Sequence, residues 1–164
     1  AKNNYQNPKR ALVYVVYADG KKLQEYKIIF LKALAKLSHD IIIVVNGSLI
    51  PEDRAVLETF GRVEVRPNEG YDTAAFRHGI LAFANESLSH FDELLLVNDT
   101  NVGPFIALEK IFEKMASQNW IFGESHMVNL NQILPVIINI KPFRFIFSLI
   151  SSSLRKVCSL TLVL

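Results

Sequence analysis

Four strand-like runs, ALVYVVYA at 11–18, IIIVVN at 41–46, RVEVRP at 62–67 and ELLLVN at 93–98, are each followed by a polar turn and then by helical spacing. The first two runs, continuous, apolar and β-branched, suit strands buried in the sheet, RVEVRP is a shorter strand, and parallel strands need crossovers between them. The crossovers are legible too. Over 23–37 the apolar residues Leu23, Tyr26, Ile29, Phe30, Ala33, Leu34 and Leu37 recur three and four apart, the stripe of an amphipathic helix. A second helix is predicted over 51–60, opened by Pro51 and stopped by Gly61, and a third over 73–86. Pro104 opens a fourth, with Leu108, Ile111, Phe112 and Met115 on one face, and 120–123 reads as a further short strand. This alternation predicts an α/β, Rossmann-like domain: a mostly parallel sheet flanked by helices.

In open parallel sheets, ligands bind beyond the carboxyl ends of the strands. Four loops occupy that position here: Asp19-Gly20, Asn46-Gly47-Ser48, Asn68-Glu69-Gly70-Tyr71-Asp72 and Asn98-Asp99-Thr100-Asn101. Their small and amide side chains permit close approach and supply donors and acceptors. Several familiar chemistries are nevertheless missing. Neither GxxxxGK[ST] nor GxGxxG occurs, so a P-loop or dinucleotide enzyme is not expected. No GxSxG elbow exists, and Ser48, His78 and His90 read as a loop serine and surface histidines. Asp99 and Asn101, one residue apart after a buried strand, offer oxygen ligands of the kind hard Mg²⁺ or Mn²⁺ prefers, although Asp, Thr and Asn are also ordinary turn residues.

Charge divides the 164 residues in two. All sixteen acidic residues lie at or before Glu124, beside fourteen basic ones, whereas 125–164 holds no acid and four bases, Lys141, Arg144, Arg155 and Lys156. Neither part has the dense basic stripe of a nucleic-acid binder, so nucleic acid is not an expected partner. The single cysteine, Cys158, cannot pair within the chain, and the start AKNNYQNPKR lacks the apolar core of a secretory signal. A cytoplasmic location is expected. The longest uncharged stretch, 125–140, has sixteen residues and includes Pro135, short of the roughly 20 needed to span a bilayer.

Taken together and in order, DIIIVVNGS at 40–48, VEVRPNEGYDTAAFRHGI at 63–80 and FDELLLVNDTNVGPFIALEKIFEKM at 91–115 resemble the rhamnan synthesis protein F family of glycosyltransferase-like proteins. WIFGES at 120–125 is similar to that family's next strand and turn, so the resemblance covers 11–125. The most specific strings are NEGYDTAAF and NDTNVGP; more distantly, NGS is similar to the DGS of family 2 glycosyltransferases and Asp99-Thr100-Asn101 to their DxD. The resemblance implies a GT-A nucleotide-sugar-binding domain. It also implies a nucleotide-diphosphate sugar donor, dTDP-L-rhamnose in the first instance, and transfer to a growing cell-surface polysaccharide or lipid-linked glycan. On this reading Asp19, Gly20 and Asn46 lie near base and ribose, and Asn68, Gly70 and Asp72 line the donor pocket. Asp99, with Asn101, holds a divalent cation, Mg or Mn, at the diphosphate, where a cation offsets the charge of the departing group. Asp99→Ala is then expected to weaken metal-dependent nucleotide binding without unfolding the domain.

Structural readings stand beside these. Asn68 and Gly70 suit a tight turn, Asp72 an N-cap before a helix starting at Thr73, and Tyr71 and Phe76 packing.

The chain accordingly divides into a polar lead (1–10), the donor-side domain (11–125) and an apolar, basic tail (126–164). The acceptor half of a GT-A domain, with its general base, belongs after WIFGES, yet no carboxylate follows there. Three accounts of the tail are open: a truncated or frame-shifted end, a membrane-facing segment whose four bases meet anionic lipid at the inner face of the plasma membrane, or an aggregation-prone stretch. Correspondingly, the function is glycosyl transfer, a binding-only remnant of it, or a non-catalytic α/β interaction domain.

Overall fold

A computed structural model describes residues 8–84, 90–91, 93–100, 103–104, 107–115 and 156–160. The expected alternation is present, as β1 (Arg10–Asp19), α1 (Glu25–Ala35), β2 (Asp40–Ser48), α2 (Pro51–Glu58), β3 (Arg62–Arg66), α3 (Tyr71–Ala84), β4 (Glu93–Asn98) and α4 (Leu108–Met115). Four parallel strands lie in the order β3-β2-β1-β4, and β5 (Lys156–Leu160), within the tail, pairs parallel to β4 on its outer side.

The pleat divides the β1 side chains between two cores. Leu12, Tyr14, Val16 and Ala18 face one way, with Ile41, Ile43 and Val45 of β2, Leu95 and Val97 of β4, and the apolar faces of α1 (Phe30, Leu31, Leu34), α2 (Leu57) and α4 (Leu108, Phe112). Ala11, Val13 and Val15 face the other way, with Ile42, Val44, Leu94 and Leu96, against Ala75, Ile80 and Phe83 of α3. With apolar partners on both faces, β1 and β2 need no polar alternation, which is why they read as continuous apolar runs. Phe76 packs against the second core, as expected of it. α3 comes close to the sheet through Gly79, where an added Cβ would overlap the Val13 side chain.

Two helix starts differ from expectation. α3 begins at Tyr71 rather than Thr73, and α4 at Leu108, four residues after Pro104. In α3 the backbone N–H of Ala74 already bonds the Gly70 carbonyl, so the first turn closes around the polar loop itself. The strand expected over 120–123 lies outside the described residues. Among the described residues no helix is long and apolar enough to cross a membrane.

The chain runs β1, β2, β3 in one direction across the sheet and then returns, through α3 on the opposite face, to place β4 on the other side of β1. The strand order therefore reverses between β1 and β4. Beyond the carboxyl ends of these two strands is where such a sheet opens a crevice.

Candidate functional site

Register fixes which residues meet at that end. Tyr17 of β1 is level with Asn46 of β2, and Asn46 with Arg66 of β3, while Asn98 of β4 is level with Val15. Two connected polar groups result, one on each side of Tyr17.

The first is centred on Asn46, which is buried. Its Oδ1 accepts from Arg66 Nη1 at 2.5 Å, and its Nδ2 donates to the Tyr71 carbonyl at 3.3 Å. Arg66 Nη2 donates to the Glu69 carbonyl at 2.6 Å, so one guanidinium braces both the strand end and the loop leading to α3. That loop turns sharply. Gly70 has φ +72° and Tyr71 has φ +51°, a conformation that costs an L-residue with a Cβ roughly 1–2 kcal/mol. Tyr71 is 76% exposed, so the expectation that it packs is corrected: the left-handed turn aims it at solvent. Asn68 is exposed in the same loop.

The second group is carried by β4. Asn98, 1% exposed, donates from Nδ2 to Asp72 Oδ2 at 2.8 Å and accepts from Thr100 Oγ1 at 2.9 Å. Asp72 thus lies inside the first turn of α3, its carboxylate on Asn98 and near the positive end of the helix. Asp99 is 6% exposed. Its backbone N–H donates to the Val15 carbonyl at 2.9 Å, and its Oδ2 accepts the Tyr17 N–H at 2.9 Å. The same oxygen lies 2.6 Å from Lys27 Nζ, on α1, which also donates to the Tyr17 carbonyl at 2.9 Å. Tyr14 completes this layer by donating its hydroxyl to the Lys27 carbonyl at 3.0 Å. Burial, reinforced by the charge of Asp99, pushes the Tyr14 hydroxyl far above the ordinary phenol range, so it stays a donor.

Asp19 and Gly20 sit slightly apart, at the tip of β1. The Gly20 N–H bonds the Ser48 carbonyl at 2.8 Å, joining the β1 and β2 loops. Asp19 Oδ1 accepts the Lys21 N–H at 3.1 Å, and this hydrogen bond, with the Lys21 ammonium 3.6 Å away, holds the carboxyl below its ordinary range. Of the residues anticipated from sequence, Asn46, Gly70 and Asp72 are drawn together by Arg66, Tyr71 and Asn98. Asp99 adjoins them through Tyr17, and Asn101 lies outside the described residues.

Arg66 and Lys27 escape a loop-by-loop reading. Lys27 carried a signal, because it falls four residues after Leu23 and four before Leu31, on the buried stripe of α1. A cation in that position requires a counter-ion. Asp99 is that counter-ion, and its fit to a divalent metal suffers for it: Oδ2 already holds an ammonium and an amide N–H. Among the described residues no three His, Cys, Asp or Glu side chains gather as a metal cluster.

What the arrangement offers chemically is a rim of amide, guanidinium, helix N-terminus and exposed aromatic, suited to a polar, anionic ligand carrying a flat ring. A sequence profile of the rhamnan synthesis protein F family matches residues 41–131, more than half of the chain. No curated protein and no solved structure matches it.

Proposed function

Since the chain belongs to the rhamnan synthesis protein F family, whose role is in rhamnan synthesis, we propose that its β1/β4 crevice is the donor site of a GT-A-type glycosyltransferase that takes a nucleoside-diphosphate sugar, dTDP-L-rhamnose in the first instance. The observation that carries this reading is the coincidence of three things at one sheet end. The strand order reverses there, the family match covers its β2, β3 and β4 loops, and Asn46 joins the Arg66 guanidinium to the backbone of the exposed Tyr71.

In this reading Tyr71 stacks on the base, Asn46 and the Asp19-Gly20 turn border the ribose, and Arg66 with the amino end of α3 meets the diphosphate. Those fixed charges favour the leaving diphosphate as it gains charge, and no reorganisation is needed at that moment. The acceptor is a growing polysaccharide or lipid-linked glycan, and the basic tail suits the anionic inner face of the plasma membrane. Calorimetric titration with dTDP and UDP tests the donor site. Arg66→Ala is expected to weaken binding about tenfold or more, the loss typical of a charge-assisted hydrogen-bond donor; because it also leaves the buried Asn46 Oδ1 without its donor, the unfolding midpoint should fall modestly, and affinity is compared where both proteins are folded. Titration heats indistinguishable from buffer with folded protein would end the reading.

A binding-only role is the second reading, and one observation favours it. Asp72 and Asp99 are both committed to internal partners. Nucleotide binding without rhamnosyl transfer to glycan acceptors separates this reading from the first.

A further inference from the structure

A carboxylate that receives a metal must have an oxygen free of other cations. Asp99, the aspartate that follows β4, does not meet that condition at Oδ2. Asp99 Oδ2 accepts both the Tyr17 N–H and Lys27 Nζ, with the Asp99 and Lys27 side chains 8% and 7% exposed. Asp72 Oδ2 takes the Asn98 amide, and Asp53 Oδ2 takes the Leu23 N–H at the start of α1. Asp19 faces Lys21 through both oxygens. A dication placed on Asp99 would be repelled by the ammonium 2.6 Å from Oδ2, and expelling that ammonium would leave Lys27 buried without a counter-ion.

Lys27 does more than neutralise. It holds the Tyr17 carbonyl while Asp99 holds the Tyr17 N–H, so the two side chains clamp one peptide segment from both sides. Tyr17 lies two residues before the end of β1 at Asp19, and it is half exposed. The pair therefore fixes the backbone of β1 just before its end.

Resting on the donor-site reading above, we infer that the nucleoside diphosphate binds here without a divalent cation. Asp99 is a positioning residue locked to Lys27, and Arg66 supplies the positive charge that meets the diphosphate. The usual division of labour, a carboxylate holding a metal that holds phosphate, is replaced by a carboxylate holding a lysine that holds the end of β1.

The test is titration of the whole chain with dTDP in EDTA and again in Mn²⁺. Dissociation constants within about twofold of each other are expected, a difference below half a kcal/mol. Tightening of about tenfold or more in Mn²⁺ overturns the inference and leaves the donor site standing; no binding in either buffer removes both. Asp99→Asn supplies the second arm. As a positioning change it should weaken dTDP equally in the two buffers, whereas loss confined to the Mn²⁺ buffer would make Asp99 a metal ligand. A third measurement needs no nucleotide: Mn²⁺ alone should leave the melting temperature of the wild-type chain unchanged, and a clear rise would count against the inference.

Discussion

β4 carries a buried ion pair at each end, Glu93 with Arg10 of β1 and Asp99 with Lys27 of α1, and the two pairs have different surroundings. At the amino ends, Arg10 Nε meets Glu93 Oε2 at 2.5 Å, Nη1 reaches the Leu37 carbonyl at 3.3 Å, and the guanidinium lies over the Phe112 ring, 4.7 Å from its centroid. Glu93 and Phe112 are both buried there. At the carboxyl ends, Lys27 and Asp99 are equally buried, but the peptide they clamp leads to an exposed tyrosine, a braced arginine and a left-handed turn. Burial of charge is common to both; what distinguishes the upper pair is that it fixes backbone bordering solvent.

The largest effects should come from breaking either pair. Arg10→Met and Lys27→Met each strand a buried carboxylate, and each is expected to cost about 3–5 kcal/mol in urea unfolding. Under conditions where both variants remain folded, only Lys27→Met should lose dTDP affinity, and equal losses would erase the distinction between the ends. The same argument revises the expectation drawn from sequence for Asp99→Ala. With Lys27 beneath it, that substitution leaves an unpaired buried ammonium and should destabilise the domain as strongly.

Gly79→Ala is next. The added methyl overlaps Val13 and should cost about 1–3 kcal/mol of thermal stability. It should also weaken nucleotide binding, because α3 carries Tyr71 and Asp72 to the upper end; a purely structural loss would detach α3 from the comparison.

How far the sequence went is clearest at these positions. The strands and their order of connection were legible because a sheet covered on both faces demands continuous apolar runs, and 10–19, 40–48 and 93–98 have them. Asn46, Gly70 and Asp72 were legible as residues that follow strands. Arg66 was not, because its importance comes from lateral register: only pairing β2 with β3 puts a guanidinium on the Asn46 amide. Lys27 was hidden by its position inside a helix whose other residues announced packing. Tyr71 was misread because an aromatic near a helix start normally packs, and only its positive φ turns it outward.

A smaller effect of opposite sign is expected at that residue. Tyr71→Gly relieves a left-handed Cβ, and chemical denaturation should show a gain of up to about 1 kcal/mol. Nucleotide affinity should fall as stability rises, the pattern of strain kept for a ligand. A variant that gains stability and keeps its affinity would make the turn merely tolerated.

Smallest of all is the contribution of Asp19. Its carboxyl is held below the ordinary value of 3.8, so its stabilisation is present above that pH and is lost as pH falls through the lower folded value. Asp19→Asn should therefore lower the melting temperature slightly at pH 7, and the difference from wild type should vanish in acid. A difference that persists in acid would place the cause elsewhere than in the charge.

The Lys27–Asp99 contact also has a consequence in time. Lys27 is made early and Asp99 seventy-two residues later, after β2, α2, β3 and α3. Until β4 emerges from the ribosome and inserts beside β1, the first helix carries an ammonium on its apolar stripe with no counter-ion, and the early β-α units have reason not to close around it. Consolidation of the domain is thereby deferred to the arrival of β4, the long-range step that closes the largest loop. Co-translational compaction should accordingly be late and abrupt, appearing when Asp99 has cleared the exit tunnel.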